Sequence, residues 1–267
     1  MSDSFKRTFH FYLSMHDFNL NTTFQLALKE IKLKYNNNTF GYLWMMINPI
    51  LLMVTLYIVF SIVMKLDIPN FQIILLLGII VWNFFSEATS KSIESLISHM
   101  ETLKKIRISI LSIIIGSNLA SIVSFLIHLI VLIIIMTYFN INIFTPIRLM
   151  SLFYFMLMFI FVISTSLIVS ISCVLSRDLK HVWEFILLIG FWLTPIVYPE
   201  TFIPAHHLKY YMLNPLARLI SHLRNVIVHN YIDTPEQIMI TTILILSFFF
   251  LSIQFFSKFS KKIYDNL

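Results

Sequence analysis

Residues 91–107, KSIESLISHMETLKKIR, form a charged island between two long apolar runs. The island sets Lys91, Lys104, Lys105 and Arg107 against Glu94 and Glu101. Glu101 and Lys105 are spaced i,i+4 with the acid first, which supports a helix. Working outward, residues 71–90 precede the island and residues 108–138 follow it, both nearly free of charge. Runs of that length read as membrane-crossing helices. The island is therefore expected to be a short helix in water joined to two helices in lipid. Through such a handle, something outside the bilayer can move what lies inside it.

Composition agrees. The 267-residue chain is 58% hydrophobic and 12% charged, with a mean hydropathy of +0.84. Soluble domains carry about 25% charged residues, and here the few charges are clustered. A soluble fold is excluded in favour of an all-α, multi-pass membrane protein. The single cysteine, Cys173, sits in an apolar run and excludes an internal disulfide framework and a thiolate metal cluster. It reads as a small buried apolar side chain. The first residues lack the order of a cleaved signal, so the first span is expected to direct insertion. The net charge of +6 is read through topology. No basic patch interleaved with aromatics suggests a nucleic acid partner.

The order of elements follows. Residues 1–40 are expected to form a cytoplasmic amphipathic interface segment, and residues 41–267 a six-span domain. Thr22-Thr23-Phe24-Gln25 has the form of a capping box. Phe24, Ala27, Leu28 and Ile31 then trace one helical face, opposite Lys29, Glu30, Lys32 and Lys34. Such a helix lies in the membrane interface or packs on a cytosolic partner. The spans are expected at 42–64, with a kink at Pro49, and at 71–90, 108–138, 149–175, 182–198 and 238–256. Six spans put both termini on one side. With the termini inside, only Lys65, Arg148, Lys209, Arg218 and Arg224 lie outside, leaving fourteen of the 19 lysines and arginines within. That bias fits the positive-inside rule.

The external loop, residues 199–237, is no plain linker. Five of the eight prolines fall between Pro195 and Pro235. After Asn214-Pro215, the residues Leu216, Leu219, Ile220, Leu223, Val226 and Ile227 trace one helical face, with Arg218, His222 and Arg224 off it. The expectation is a re-entrant or interfacial helix returning towards the membrane.

Catalytic signals are absent. Gly41, Gly78, Gly116 and Gly190 are too scattered for a phosphate-cradling loop, and none precedes a lysine. No metal is expected, and His206-His207 reads as a surface pair. Charges within the spans are few, Glu87, His128 and Glu184, with the two glutamates near cytoplasmic ends. Tyr57, Phe60, Trp82, Phe84, Phe85, Trp192 and Tyr198 sit on or near span ends. They read either as an interfacial belt with core packing or as flat faces lining a path for sugar rings.

These residues resemble a family. Gly41-Tyr42-Leu43-Trp44, Asn48-Pro49, Val59-Phe60-Ser61, Leu76-Leu77-Gly78 and Trp82-Asn83-Phe84-Phe85-Ser86 are similar to the polysaccharide-export permeases of ATP-binding cassette transporters. So are Leu103-Lys104-Lys105, Ser176-Arg177-Asp178-Leu179, the tract from Phe191 to Pro199 and Asn214-Pro215. The resemblance runs from about Leu26 to the end. It implies a permease without enzymatic activity, in the bacterial cytoplasmic (inner) membrane with both termini cytoplasmic. The family exports lipid-linked polysaccharide such as O-antigen, capsule or teichoic acid. Its permease is a homodimer with two ATP-binding cassette subunits that hold ATP and magnesium, so no cofactor is expected in this chain.

By position, residues 91–107 resemble the coupling helix, with Glu94, His99, Met100, Glu101, Lys104, Lys105 and Arg107 facing the ATPase. Pro195, Pro199, Asn214 and Pro215 resemble the external gate of loop 199–237. One departure is Ile108-Ser109, where family members often carry Phe-Pro, which implies a less kinked third span. Two alternatives stay open: an exporter of a drug or small lipid, and a membrane glycosyl- or acyltransferase.

Overall fold

The computed structural model describes residues 19–35, 41–105, 108–142 and 145–265. The side chains of Lys104 and Lys105, and Arg107 as a whole, lie outside the described residues. What is described is helix and connecting loop. Its helices are α1 (Leu20–Tyr35), α2 (Gly41–Tyr57), α3 (Phe71–Ser98), α4 (Met100–Lys105) and α5 (Ile110–Tyr138), followed by α6 (Met150–Leu175), α7 (Leu179–Leu193), α8 (Ala205–Tyr211), α9 (Pro215–Ile227) and α10 (Pro235–Asp265). A wider π-type turn, Ile58–Val63, extends α2, and a 3₁₀ turn, Ile147–Leu149, leads into α6.

Among the described residues, five segments are long and apolar enough to cross a membrane: Trp44–Val63, Phe71–Ser98, Ile110–Tyr138, Ile147–Leu175 and Pro235–Ile263. The chain is a multi-pass membrane protein. The span expected at 182–198 is a shorter helix, the 15-residue α7. Its end has a local cause. Pro195 disfavours helical backbone at the preceding residue, and Thr194 is extended at φ −89°, ψ 140°.

α3 is the centre. Ile73, Leu75, Leu76, Leu77, Ile79, Ile80 and Val81 are all fully buried, so the helix is enclosed on every side. A helix apolar all round needs neighbours all round, and α5, α6, α2, α9 and α7 supply them. The buried side chains fall into two clusters. The larger runs from the middle of the bundle to the Phe71 end of α3 and takes in α9. The smaller joins Leu96, Leu103, Ile110, Ile113, Ile171, Phe256 and Ile263 near the island.

The start of α1 differs from the expected capping box. Asn19 caps the helix, its Oδ1 accepting from Asn21 N at 2.9 Å, so the chain turns helical before Thr22. Asparagine is as strong a cap as any residue. The packed face also differs. Thr23 and Ala27 are buried, whereas Phe24 and Leu28 are exposed. Small residues win because α1 crosses α5 at Gly116, where an added Cβ would lie 3.0 Å from Thr23 O. Phe24 and Leu28 are left facing outward.

Candidate functional site

The island is not one helix. Its first half, from Lys91 to Ser98, forms the last two turns of α3, and α4 is a separate helix of six residues. The break falls at His99 (φ −91°, ψ 1°). The His99 ring Nδ1 lies 2.8 Å from the Ser95 carbonyl, which can only accept. That assigns the ring proton to Nδ1 and leaves Nε2 to accept from Lys29 Nζ at 3.2 Å. Leu103 N bonds His99 O at 2.9 Å, so α4 starts directly from the break. Met100 is half-buried against the smaller core, and Glu101 is exposed. The island is thus a rigid continuation of the central helix and then a bend.

Three polar contacts fasten α1 along this end of α3. Besides Lys29–His99, Ser95 Oγ donates to Glu30 Oε1 at 3.1 Å. Lys34 Nζ pairs with Glu87 Oε1 at 2.6 Å and donates to Ser124 Oγ at 2.8 Å. Glu87 therefore engages a lysine of α1 rather than only reaching for water. Below it, Asn118 Nδ2 donates to Ser92 Oγ at 2.9 Å, and Ser166 Oγ donates to Asn118 Oδ1 at 3.2 Å. Side-chain hydrogen bonds of this kind join helices in lipid, each contributing about 0.6 kcal/mol. Beside Asn118, an apolar crevice of about 60 Å³ opens between α5 and α6.

α7 runs antiparallel to α3, and four contacts define the register. Lys180 Nζ meets Glu94 Oε1 at 3.2 Å. Trp183 Nε1 donates to Thr89 Oγ1 at 3.3 Å. The Trp82 indole lies over Gly190, where an added Cβ would come within 2.8 Å of it. Finally, Ile196 O lies beside Gly78 of α3, where an added Cβ would come within 2.9 Å. Aromatics hold this seam. Trp82 meets Phe191 edge-on at 6.0 Å, and Phe85 meets Trp183 at 6.1 Å. Of the aromatics singled out from the sequence, Trp82, Phe84 and Phe85 are buried within the one chain. Tyr57 and Phe60 are half-buried, and Trp192 is exposed. Tyr198 donates from its hydroxyl to Trp192 O at 3.1 Å.

The loop beyond α7 is built around α9. Asn214 caps it, accepting from Leu216 N at 3.0 Å, and Pro215 takes the first helical position, where its missing N–H costs nothing. Asn214 Nδ2 also donates to Thr194 Oγ1 at 3.3 Å, joining the α9 cap to the end of α7. Pro195 is buried and Pro199 half-buried in the same place. The expected apolar face of α9 is buried. His222 and Arg224, expected off that face, are buried as well, at 4% exposure each. They are inside because each finds partners there, as buried polar groups must.

His222 sits in a sealed network. Its Nδ1 lies 2.6 Å from Asp233 Oδ2 and its Nε2 2.8 Å from Thr241 Oγ1. The Thr241 hydroxyl donates to Gln237 O at 2.9 Å, so its lone pair faces Nε2. The Asp233 carboxylate can only accept, so the ring donates to it from Nδ1. Asn225 Nδ2 donates to the other carboxylate oxygen at 2.8 Å, and the Tyr154 ring stacks on His222 at 4.9 Å. Burial raises the Asp233 pKa, but His222, by hydrogen bond and charge, and Asn225 outweigh it and hold the carboxyl below its ordinary range. The order Thr–His–Asp resembles a hydrolase triad. Thr241 is fully buried, however, and its hydroxyl is spent on the backbone of its own helix. The network is a fastening between α9 and α10.

The sequence profile of ABC-2 type transporters matches residues 21–228. The chain belongs to the ABC-2 type transporter family. The match takes in α1, the central helix, the island and α9. This ABC-2 type chain is 27% identical over 226 residues to the O-antigen export system permease protein RfbA of Klebsiella pneumoniae, covering 81% of this chain and 85% of that one. A Myxococcus xanthus protein of the same printed name is 24% identical over 222 residues, covering 80% and 83%. Members so named are transport subunits rather than enzymes.

Sequence reasoning missed three partnerships: Lys34–Glu87, His222–Asp233 and Arg224 with backbone carbonyls. The first carried a signal, a lone acid in a span and a basic face nearby in sequence order. The other two carried none, because helical periodicity alone sets polar residues on the outside.

Proposed function

We propose that this chain is the membrane subunit of a bacterial exporter that carries a lipid-linked polysaccharide of the O-antigen type across the cytoplasmic membrane. It acts as a homodimer with two ATP-binding cassette subunits, which bind ATP and magnesium and hydrolyse the nucleotide. The observation that carries this reading is the continuity of the central helix with the charged island. α3 is buried on every side from Ile73 to Val81 and runs unbroken to Ser98, so a push on the island moves the core of the bundle. Such rigid-body transfer is one of the standard routes of coupling. The named relatives support O-antigen as the cargo class.

Six crossings fit the same geometry. α7 and the tract after it accompany α3 from Glu94 to Gly78 and Ile74. That is about 20 residues, or ~30 Å at 1.5 Å per residue, the thickness of a hydrocarbon core. α7 with its unwound end makes the sixth crossing, and α9 fills the external space that a longer helix would take. Both termini then face the cytoplasm, as the lysine and arginine bias requires.

The test is purification of this chain in detergent with the ATPase encoded beside it, followed by ATP hydrolysis with and without lipid-linked glycan. Stable association and glycan-sensitive hydrolysis are expected. Charge reversal at Glu94 and Glu101 should weaken association. A chain that stays folded but never binds the ATPase would sink the reading.

A further inference from the structure

After α7 ends, residues 194–198 run unwound, and Thr194, Pro195, Ile196 and Val197 are buried. Non-helical backbone at membrane depth leaves carbonyls without intrahelical partners, each costing several kcal/mol if left bare. One side chain satisfies two of them, at Ile196 and Tyr198. Arg224 of α9 donates from Nη2 to Ile196 O at 2.7 Å and to Ile74 O of α3 at 3.4 Å. Its Nη1 donates to Tyr198 O at 3.2 Å. Among the described residues no carboxylate lies within ion-pair distance of it; Glu200 acts on it only through longer-range charge, and its Nε is buried without a partner. A buried cation whose direct contacts are carbonyls fits a backbone clamp better than a structural ion pair. The opposite wall is shaped for it. At Gly78 of α3 an added Cβ would lie 2.9 Å from Ile196 O and 3.1 Å from Arg224 Nη2, so only glycine lets tract and guanidinium approach.

We propose that Arg224 is the positioning residue of an external seal. Its guanidinium binds the unwound end of α7 to α9 and α3 at one point and closes that end to water. This rests on the reading of α7 and its tract as the sixth crossing. The fork of donors matters as well as the charge, because three carbonyls on two elements are held together, which a lysine ammonium cannot reproduce. The clamp also makes the end of α7, the α9 helix and the outer part of α3 move as one body.

The experiment places a cysteine at Val197, 1% exposed, in a chain carrying Cys173→Ser and complexed with its ATPase. Spheroplasts are treated with a membrane-impermeant maleimide. A Leu213→Cys chain, 65% exposed at that position, is the accessible reference. In the parent, the cysteine at 197 should be protected. Arg224→Gln should raise its labelling by about tenfold or more for each charge-assisted hydrogen bond lost, with Arg224→Lys in between. Gly78→Ala, which attacks the same contact from α3, should act in the same direction. Labelling at 213 should not change.

Free labelling of the parent at 197 would overturn the seal, as would full protection in both Arg224→Gln and Gly78→Ala. Should Arg224→Gln fail to fold, seen as loss of the monodisperse complex, Gly78→Ala decides. ATPase association in the same preparations reads the transporter function separately. Association without altered protection sinks the clamp alone. Altered protection without association sinks the transporter and leaves the clamp.

Discussion

The two ends of the bundle hold their charges differently. At the α9 end, His222, Asp233 and Arg224 are at most 8% exposed, and each is bound by short hydrogen bonds. At the island end, the side chains of Lys34 and Glu87 are about a quarter exposed, at 25% and 26%, and Lys180 and Glu94 more so, at 36% and 60%. The charges at the α9 end fasten elements that no long helix secures: α9, the unwound end of α7 and the start of α10. The charges at the island end lie along helices that hydrophobic packing already holds. Burial makes a polar contact strong and unforgiving, whereas exposure leaves it weak and easily remade. The rigid end therefore suits a seal, and the looser end suits a surface that meets a moving partner.

This contrast predicts a steep order of effects. His222→Ala should be the most damaging, because it strands a buried carboxylate; breaking such a pair costs about 3–5 kcal/mol. The loss should appear as a lower thermal midpoint of the detergent-solubilised protein. Acid should mimic it. Asp233 titrates below its ordinary value when folded, so its contribution is full above the ordinary carboxylate range and disappears as pH falls through the lower folded value. Asp233→Asn should remove that acid-dependent part of the midpoint shift.

A smaller loss should follow Glu87→Gln. The Lys34 pair is partly screened, so about 1 kcal/mol is expected. If Glu87→Gln cost as much as His222→Ala, the distinction between the two ends would collapse. The smallest effect should come from Lys180→Gln, at ~0.5 kcal/mol or less and vanishing at high salt. A measurable coupling between Lys180 and Glu94 in a double-mutant cycle at high salt would show that this end is more rigid than its exposure implies.

Much of the fold was legible in particular residues. The length and apolarity of residues 108–138 left no state but a crossing helix, and the structure gives Ile110–Tyr138. The pattern after Asn214-Pro215 fixed α9 to within a residue, because cap, proline and apolar spacing agree. Other parts were not legible. The capping box at Thr22 lost to Asn19, since two good caps within three residues compete and packing against Gly116 decides. The island read as one helix because nothing in it breaks helices. The break at His99 comes from contacts to Ser95 and Lys29, one of them across to another helix.

The sequence by itself determined that this chain crosses a membrane several times and where its charged island lies. Composition and run length are local properties, and lipid enforces them without regard to partners. Only the tertiary structure decided that α7 stops short, that Arg224 bonds the carbonyls beyond its end, and that His222 points inward to Asp233. A polar side chain on a helix carries no mark of what it will meet. Its partner lies as many as 150 residues away, at Ile74 for Arg224, and only packing brings the two together.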